Sequence, residues 1–223
     1  MIEIRNLCKT YVLHGVKKTV ADNITLTLPT GSCIALIGRN GAGKTSLLKM
    51  IAGTMDPDSG SITSGGSISW PVGFAGSFHP DLSGAQNTKF IARSHGVDTV
   101  DLCDFVEYFA ELGKHFHLPI RTYSSGMRAR LAFGVSMGIK FDTYLIDEVT
   151  SVGDFSFRAK STLVFNNRMQ SSSAVFVSHS MGMVKALCNS AAVLEGGKLT
   201  YFEDVDDAIA CHLENMKSTP PQN

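Results

Sequence analysis

Gly38-Arg39-Asn40-Gly41-Ala42-Gly43-Lys44-Thr45 sits between an apolar run, Ile34-Ala35-Leu36-Ile37, and a helix-forming run, Ser46-Leu47-Leu48-Lys49-Met50-Ile51-Ala52. Every fixed position of the pattern G-x-x-x-x-G-K-[ST] is met. The context also fits, because a buried strand precedes the motif and a helix that Gly53 stops follows it. Glycines allow the backbone to wrap closely around a polyphosphate, with loop N–H groups pointing inward. The positive end of the following helix favours the same anion. Residues 38–46, from Gly38 through Arg39, Asn40, Gly41, Ala42 and Gly43 to Ser46, therefore read as a nucleotide-phosphate cradle. Lys44 is placed to reach the β- and γ-phosphates, and the Thr45 hydroxyl to ligate Mg²⁺. The shorter glycine spacing within residues 38–43 also touches a dinucleotide pattern, but the spacing is that of a phosphate loop.

The chain has 223 residues, 43% of them apolar and 18% charged, which is enough for a substantial core in one folded domain with a subdomain. Lys plus Arg and Asp plus Glu balance at 20 each, which argues against a broad nucleic-acid footprint. Cys8, Cys33, Cys103, Cys188 and Cys211 are scattered and form no C-x-x-C pair. They read as small buried hydrophobes in a reducing compartment, not as a zinc site or disulfide framework. Met1-Ile2-Glu3-Ile4 runs directly into strand pattern, so no leader is expected, and no 18-residue apolar stretch is present to span a bilayer.

Outward from the loop, residues 2–7 and 20–28 alternate as strands, and Val72-Gly73-Phe74 reads as a short strand end. Between about residues 84 and 140 the period changes to helical, with predicted helices over 85–95, 100–112 and 127–138; Phe105, Val106, Phe109 and Leu112 illustrate the spacing. The expected organisation is a single domain over 1–223. Its α/β core comprises 1–83 and 141–217, a helical subdomain spans 84–140, and a polar tail covers 218–223. Further strands are expected at 144–146, 174–177, 192–195 and 198–201, and helices at 157–169, 181–188 and 204–216. The last helix is expected to align Val205, Ile209 and Leu213 on one face.

Tyr144-Leu145-Ile146 ends at two adjacent carboxylates, Asp147 and Glu148, at the edge of a sheet where such folds place ligands. Asp147 can hold the Mg²⁺ shell, and Glu148 can polarise an attacking water. His179 follows a second apolar strand, where it can face a γ-phosphate or serve structure alone. Ser124-Ser125-Gly126-Met127 is a small-residue turn at a helix start, which reads as an anion site or as a plain serine N-cap.

The order of phosphate loop, helical insert, Ser-Ser-Gly-Met turn, Tyr-Leu-Ile-Asp-Glu and Ser-His resembles the ATP-binding cassette (ABC) ATPases, from residue 2 to about residue 215. The resemblance implies an α/β phosphate-loop NTPase core of the ABC ATPase type, with N-terminal antiparallel strands and an inserted helical subdomain. It implies that Tyr11, 27 residues before Gly38, stacks on adenine. Ser124, Ser125 and Gly126 look like the family signature, and Ser151-Val152-Gly153-Asp154 like the loop that crosses a dimer interface. Glu148, His179 and Lys44 then become the catalytic residues, with His179 as the switch histidine. A head-to-tail homodimer follows, in which Ser124 and Gly126 of one chain cover the ATP held by Lys44 of the other.

Two departures stand out. No Gln occurs within residues 73–80, where the family carries one, with Gln86 too far along to replace it, and Val149 stands where the family has Pro. Gly-Phe-x-x-x-Phe-His-Pro-x-Leu, Tyr-Ser-Ser-Gly-Met-x-x-Arg and Asp-Glu-Val-x-x-Val-Gly-Asp resemble ATPases of polysaccharide exporters, above all the capsular-polysaccharide export subunits of Gram-negative bacteria. The resemblance implies a peripheral subunit on the cytoplasmic face of the bacterial inner membrane. Two transmembrane permease subunits would contact residues 74–82, which hold Phe74, Phe78 and Leu82, together with the helical subdomain. With no C-terminal sugar-binding extension expected, substrate contact falls to the permease. O-antigen and teichoic-acid exporters share these motifs and form the alternative; a non-transport ABC-type ATPase and a scaffold of negligible turnover are the further readings. No nucleic-acid partner is expected.

Overall fold

The computed structural model describes residues 1–13, 15–74, 76, 78–147, 155–178 and 180–218. The chain forms two compact units. The first is built from Met1–Pro71, Phe141–Glu148 and Ser171–Asn223, and the second from Val72–Lys140 and Val149–Gln170.

In the first unit, β1 (Ile2–Leu13) pairs antiparallel with β2 (Val16–Leu28), and β4 (Ser59–Ser64) adds to the other side of β1. The inner face carries Ile2, Ile4, Leu7, Val20, Ala21, Ile24 and Leu28, all buried. Both strands run further than the alternating segments 2–7 and 20–28. The distal half of the hairpin exposes Tyr11, Val12 and Val16, so no core face enforces a period of two there. Register shifts between Ile4 and Thr10 blur the pattern further.

The second sheet of this unit contains β3 (Cys33–Ile37), β5 (Ile68–Pro71), β6 (Thr143–Asp147), β7 (Ser173–Val177), β8 (Ser190–Glu195) and β9 (Lys198–Phe202), in the order β5-β6-β7-β3-β8-β9. All pairings are parallel except β8–β9. The central parallel strands β3, β6 and β7 are near-continuous apolar runs, as sheets covered on both faces require. Because they point the same way, β3, β6 and β7 deliver their carboxyl ends to one edge. Helix α1 (Lys44–Ile51) follows β3 and packs Leu47, Leu48, Met50 and Ile51 into a core shared with Leu36, Leu145, Val175 and Leu194. Each such burial contributes about 1.5–3 kcal/mol before entropy is counted.

Two expectations in this unit are corrected. The strand expected at 72–74 lies earlier, at Ile68–Pro71, and Val72-Gly73 is a turn. Its serine-rich sequence hides it: Ser69 is fully buried, and its hydroxyl accepts from the Leu145 N–H at 2.9 Å and donates to the Trp70 carbonyl at 2.7 Å. The final helix, α7 (Val205–Ser218), buries Val205, Ala208, Ile209 and His212, while Leu213 is 52% exposed. The five cysteines are free. Cys103 and Cys188 are buried, but Cys8, Cys33 and Cys211 are half-buried. The Cys33 and Cys188 Sγ atoms lie 2.7 Å apart, and that contact together with burial pushes the Cys188 thiol far up.

In the second unit, α2 (Gly84–Ser94) packs on α3 (Thr99–Ala110), and α3 meets α4 (Ser125–Gly138) and α5 (Phe155–Met169) through Phe109. The Phe109 ring stacks on Phe133 and meets Phe157 edge-on at 5.1 Å between centroids. Local chemistry sets the starts of three helices. Ser83 and Gln86 form a reciprocal capping box on α2, Asp98 accepts from the Val100 and Asp101 N–H groups of α3, and Ser124 Oγ accepts from the Met127 N–H of α4. The same backbone N–H groups hold the Asp98 carboxyl below its ordinary range. Helix α3 ends before Leu112, because Glu111 adopts a left-handed conformation at φ 53°.

Candidate functional site

The phosphate loop leaves β3 at the carboxyl edge of the parallel sheet and returns into α1, as its strand–motif–helix context predicts. Gly38 packs tightly there: a Cβ would come 2.4 Å from the Leu194 carbonyl oxygen on neighbouring β8. Gly41 and Gly43 have φ of +76° and +109°, values that favour glycine. The loop curls around the Lys44 side chain, which is 8% exposed and donates to the carbonyls of Gly38 at 2.8 Å and Arg39 at 3.0 Å.

One carboxylate from a distant part of the chain joins the loop. Asp147, the last residue of β6, accepts through Oδ2 from the Thr45 hydroxyl at 2.9 Å. The strand order brings this about, because β6 lies two places from β3 with β7 between them. On the other side, the Tyr11 hydroxyl is 3.0 Å from Ser46 Oγ and donates to Met55 Sδ at 3.1 Å, which fixes the ring beside the loop. Together these groups line a cavity of about 450 Å³, within the range of small-molecule sites.

Of the residues singled out from sequence, Tyr11, Asn40, Gly41, Gly43, Lys44, Thr45, Ser46 and Asp147 line this cavity. Gly38 and Arg39 shape the loop through their carbonyls, and the Ala42 N–H donates back to the Arg39 carbonyl at 3.1 Å. Ser124, Ser125 and Gly126 belong to the second unit, where Ser124 caps α4 and a Cβ on Gly126 would have only Ser124 Oγ nearby, at 3.9 Å. Glu148, Asp154 and His179 lie outside the described residues, as does Val149.

Three lining residues were not anticipated: Lys18 and Val20 on β2 and Val177 at the end of β7. Lys18 is the cross-strand partner of Tyr11, a relation that follows from the hairpin register and from nothing local to Lys18. Gln86 is accounted for as well. Its Oε1 accepts from the Ser83 N–H at 2.8 Å, so the side chain is engaged in helix capping.

The donor set suits a hard, oxygen-loving cation. Thr45 Oγ1 and Asp147 Oδ2 are held together at 2.9 Å by a direct hydrogen bond, so the two oxygens are side by side. Among the described residues no group of three or more His, Cys, Asp or Glu side chains is placed to hold a metal ion.

A protein-family comparison matches residues 21–151 to the family described as ABC transporter. The chain belongs to this family. Full-length relatives agree. The polysialic acid transport ATP-binding protein KpsT of Escherichia coli is 47% identical over 212 residues, covering 94% of this chain and 95% of that protein. The capsule polysaccharide export ATP-binding protein CtrD of Neisseria meningitidis serogroup B is 41% identical over 208 residues, covering 93% and 96%. Among solved structures, a dimeric ATP-binding cassette in a post-hydrolysis state, bound to ADP and Pi, shares the fold. Its TM-score is 0.74 at 18% identity, over 92% of this chain and 99% of that one. The chain is thus an ABC-type ATP-binding subunit with the expected α/β fold. No helix among the described residues is long and apolar enough to cross a membrane.

Proposed function

We propose that this ABC ATP-binding subunit binds MgATP in the phosphate-loop cavity, hydrolyses it, and so powers the export of a capsular polysaccharide. The observation that carries the reading is the Thr45–Asp147 contact beside Lys44 in that cavity, in a chain with close relatives named for polysialic acid transport and capsule polysaccharide export. Lys44 and the loop N–H groups hold the β- and γ-phosphates, Tyr11 stacks on adenine, and Thr45 and Asp147 hold Mg²⁺. The cation, when bound, neutralises charge on the phosphates. A water oriented by Glu148 attacks the γ-phosphorus. The bond to the β,γ-bridging oxygen breaks, ADP leaves with that oxygen, and the added water becomes part of inorganic phosphate. His179 contacts the γ-phosphate. The roles of Glu148, His179 and Asp154 rest on the sequence resemblance.

In this reading the chain is one ABC ATPase domain working as a homodimer on the cytoplasmic face of the inner membrane. Ser124, Ser125 and Gly126 of one copy close over the nucleotide of the other, a role compatible with their position at the N-terminus of α4, which Ser124 caps. Two permease subunits dock on the second unit, where Phe74, Leu82 and Phe90 are exposed apolar side chains. No nucleic acid takes part.

The test combines binding and export. Purified Lys44→Ala loses fluorescent ATP binding. Glu148→Gln keeps binding and elutes as a dimer with ATP, and neither variant restores surface capsule in a bacterium lacking its own export ATPase. Wild-type turnover by Glu148→Gln would defeat the hydrolysis assignment. Failure of the wild-type chain to restore capsule alongside its cognate permease would defeat the export assignment.

A further inference from the structure

Lys18 stands directly across the β1–β2 ladder from Tyr11, so both side chains leave the same face of the hairpin, and both line the cavity. The ammonium lies against the phosphate loop itself: a Cβ on Gly41 would come 3.0 Å from Lys18 Nζ. Lys9 and Lys198 are each paired with a carboxylate, Asp58 and Asp22 respectively, both at 2.8 Å. Lys18 makes no hydrogen bond or ion pair among the described residues. A cation held beside a loop that already gathers N–H dipoles and the Lys44 charge is repelled while no anion is there. A polyphosphate chain reverses the sign of that interaction. An ammonium has three donors and no acceptor, so it suits phosphate oxygens and gains little from the neutral face of a base.

We propose that Lys18 is a further nucleotide-binding residue, whose ammonium grips the phosphate chain from the hairpin side of the cavity while Lys44 grips it from the loop. The inference rests on the nucleotide-binding reading above. Lys18 is exposed, so its charge-assisted contact falls at the low end of such bonds, a change of about tenfold in affinity.

The experiment measures dissociation constants of the full chain for fluorescent ATP with Mg²⁺, and competition by inorganic tripolyphosphate, which carries the phosphates without base or ribose. Lys18→Ala is expected to weaken ATP and tripolyphosphate alike, each about tenfold. Lys18→Arg should stay near wild type and Lys18→Glu fall below Lys18→Ala, with melting temperatures unchanged throughout. The kcat should hold while KM rises, because the contact forms with the ground state as well as with the transition state. Equal tripolyphosphate competition in wild type and Lys18→Ala would overturn the proposal and leave the nucleotide site standing. A wild-type chain that binds neither ATP nor tripolyphosphate would overturn both.

Discussion

Replacing Gly43 by alanine makes two demands on the phosphate loop, and Gly41→Ala makes only one of them. Gly43 caps α1 at φ 109°, ψ 12°, a conformation that an L-residue adopts at a cost of about 1–2 kcal/mol. A methyl group there would also stand 2.6 Å from Val20 Cβ and 3.1 Å from Val20 Cγ1. Carbon atoms rest about 3.5–4.0 Å apart. Val20 is buried on β2 at 4% exposure, so it cannot swing aside, and overpacking of this kind costs about 1–3 kcal/mol. The sum for Gly43→Ala is about 2–5 kcal/mol. Gly41→Ala meets only the end of the flexible Lys18 side chain, at 3.0 Å, so its cost is the backbone term alone at φ +76°. The entropy that alanine removes from the unfolded chain is common to both and cancels in the comparison. Urea unfolding of the two variants reads the difference, with Gly43→Ala expected about 1–3 kcal/mol less stable than Gly41→Ala. Equal losses would mean that β2 does not press on the loop at Val20, and the packing argument for the cavity wall would fall.

Asp147→Asn should abolish the gain in ATP affinity that Mg²⁺ gives over EDTA while leaving Mg²⁺-free binding intact; an unchanged ratio would remove Asp147 from the cation site. Gln86→Ala breaks the capping box and should cost about 0.5–2 kcal/mol of stability, with ATPase activity per folded molecule unchanged. Lost hydrolysis at full stability would instead place Gln86 at the reaction. Burial, with Lys44 and Arg39 acting in the same direction against Glu195, holds the His212 imidazole below its ordinary pKa. The folded state therefore resists a proton that the unfolded chain accepts. Stability is fully present above about pH 6.5 and is lost as pH falls from there through the folded value. His212→Gln should show a shallower loss between pH 7.5 and 5.5 by urea unfolding, and an identical slope would refute the assignment to this residue.

What could be read from the chain before folding was whatever neighbours in sequence decide. The phosphate loop, α1 and the Asp147 strand end follow from eight-residue motifs and apolar runs, because glycine torsions and burial on both faces of a parallel sheet leave local marks. The Ser124 cap of α4 is local in the same way. Elements whose rule comes from distant partners were misplaced. β5 hides behind Ser67 and Ser69, since the groups that satisfy them, Asp142 and the Leu145 N–H, are more than seventy residues away. On α7 the sequence suggests Leu213 for the core, but the helix turns His212 inward instead, and its Nδ1 is buried without a partner among the described residues.

The cavity itself shows the same division. One wall comes from a single segment, Asn40, Gly41 and Gly43 to Ser46, and could be named residue by residue. The opposite wall is a hairpin, and a hairpin assigns its side chains in pairs. Because Tyr11 lines the cavity, the register commits the residue at position 18 to the same face, whatever its type. On the proposal for Lys18, a substitution at that position should change nucleotide affinity even though it leaves every motif intact. This separates the two kinds of site residue physically. Those on the loop are held by backbone torsion, so Gly43 tolerates no methyl group. Lys18 on the hairpin is placed by pairing and is exposed, so it can be exchanged for Arg, Ala or Glu without strain, and affinity alone should record the change.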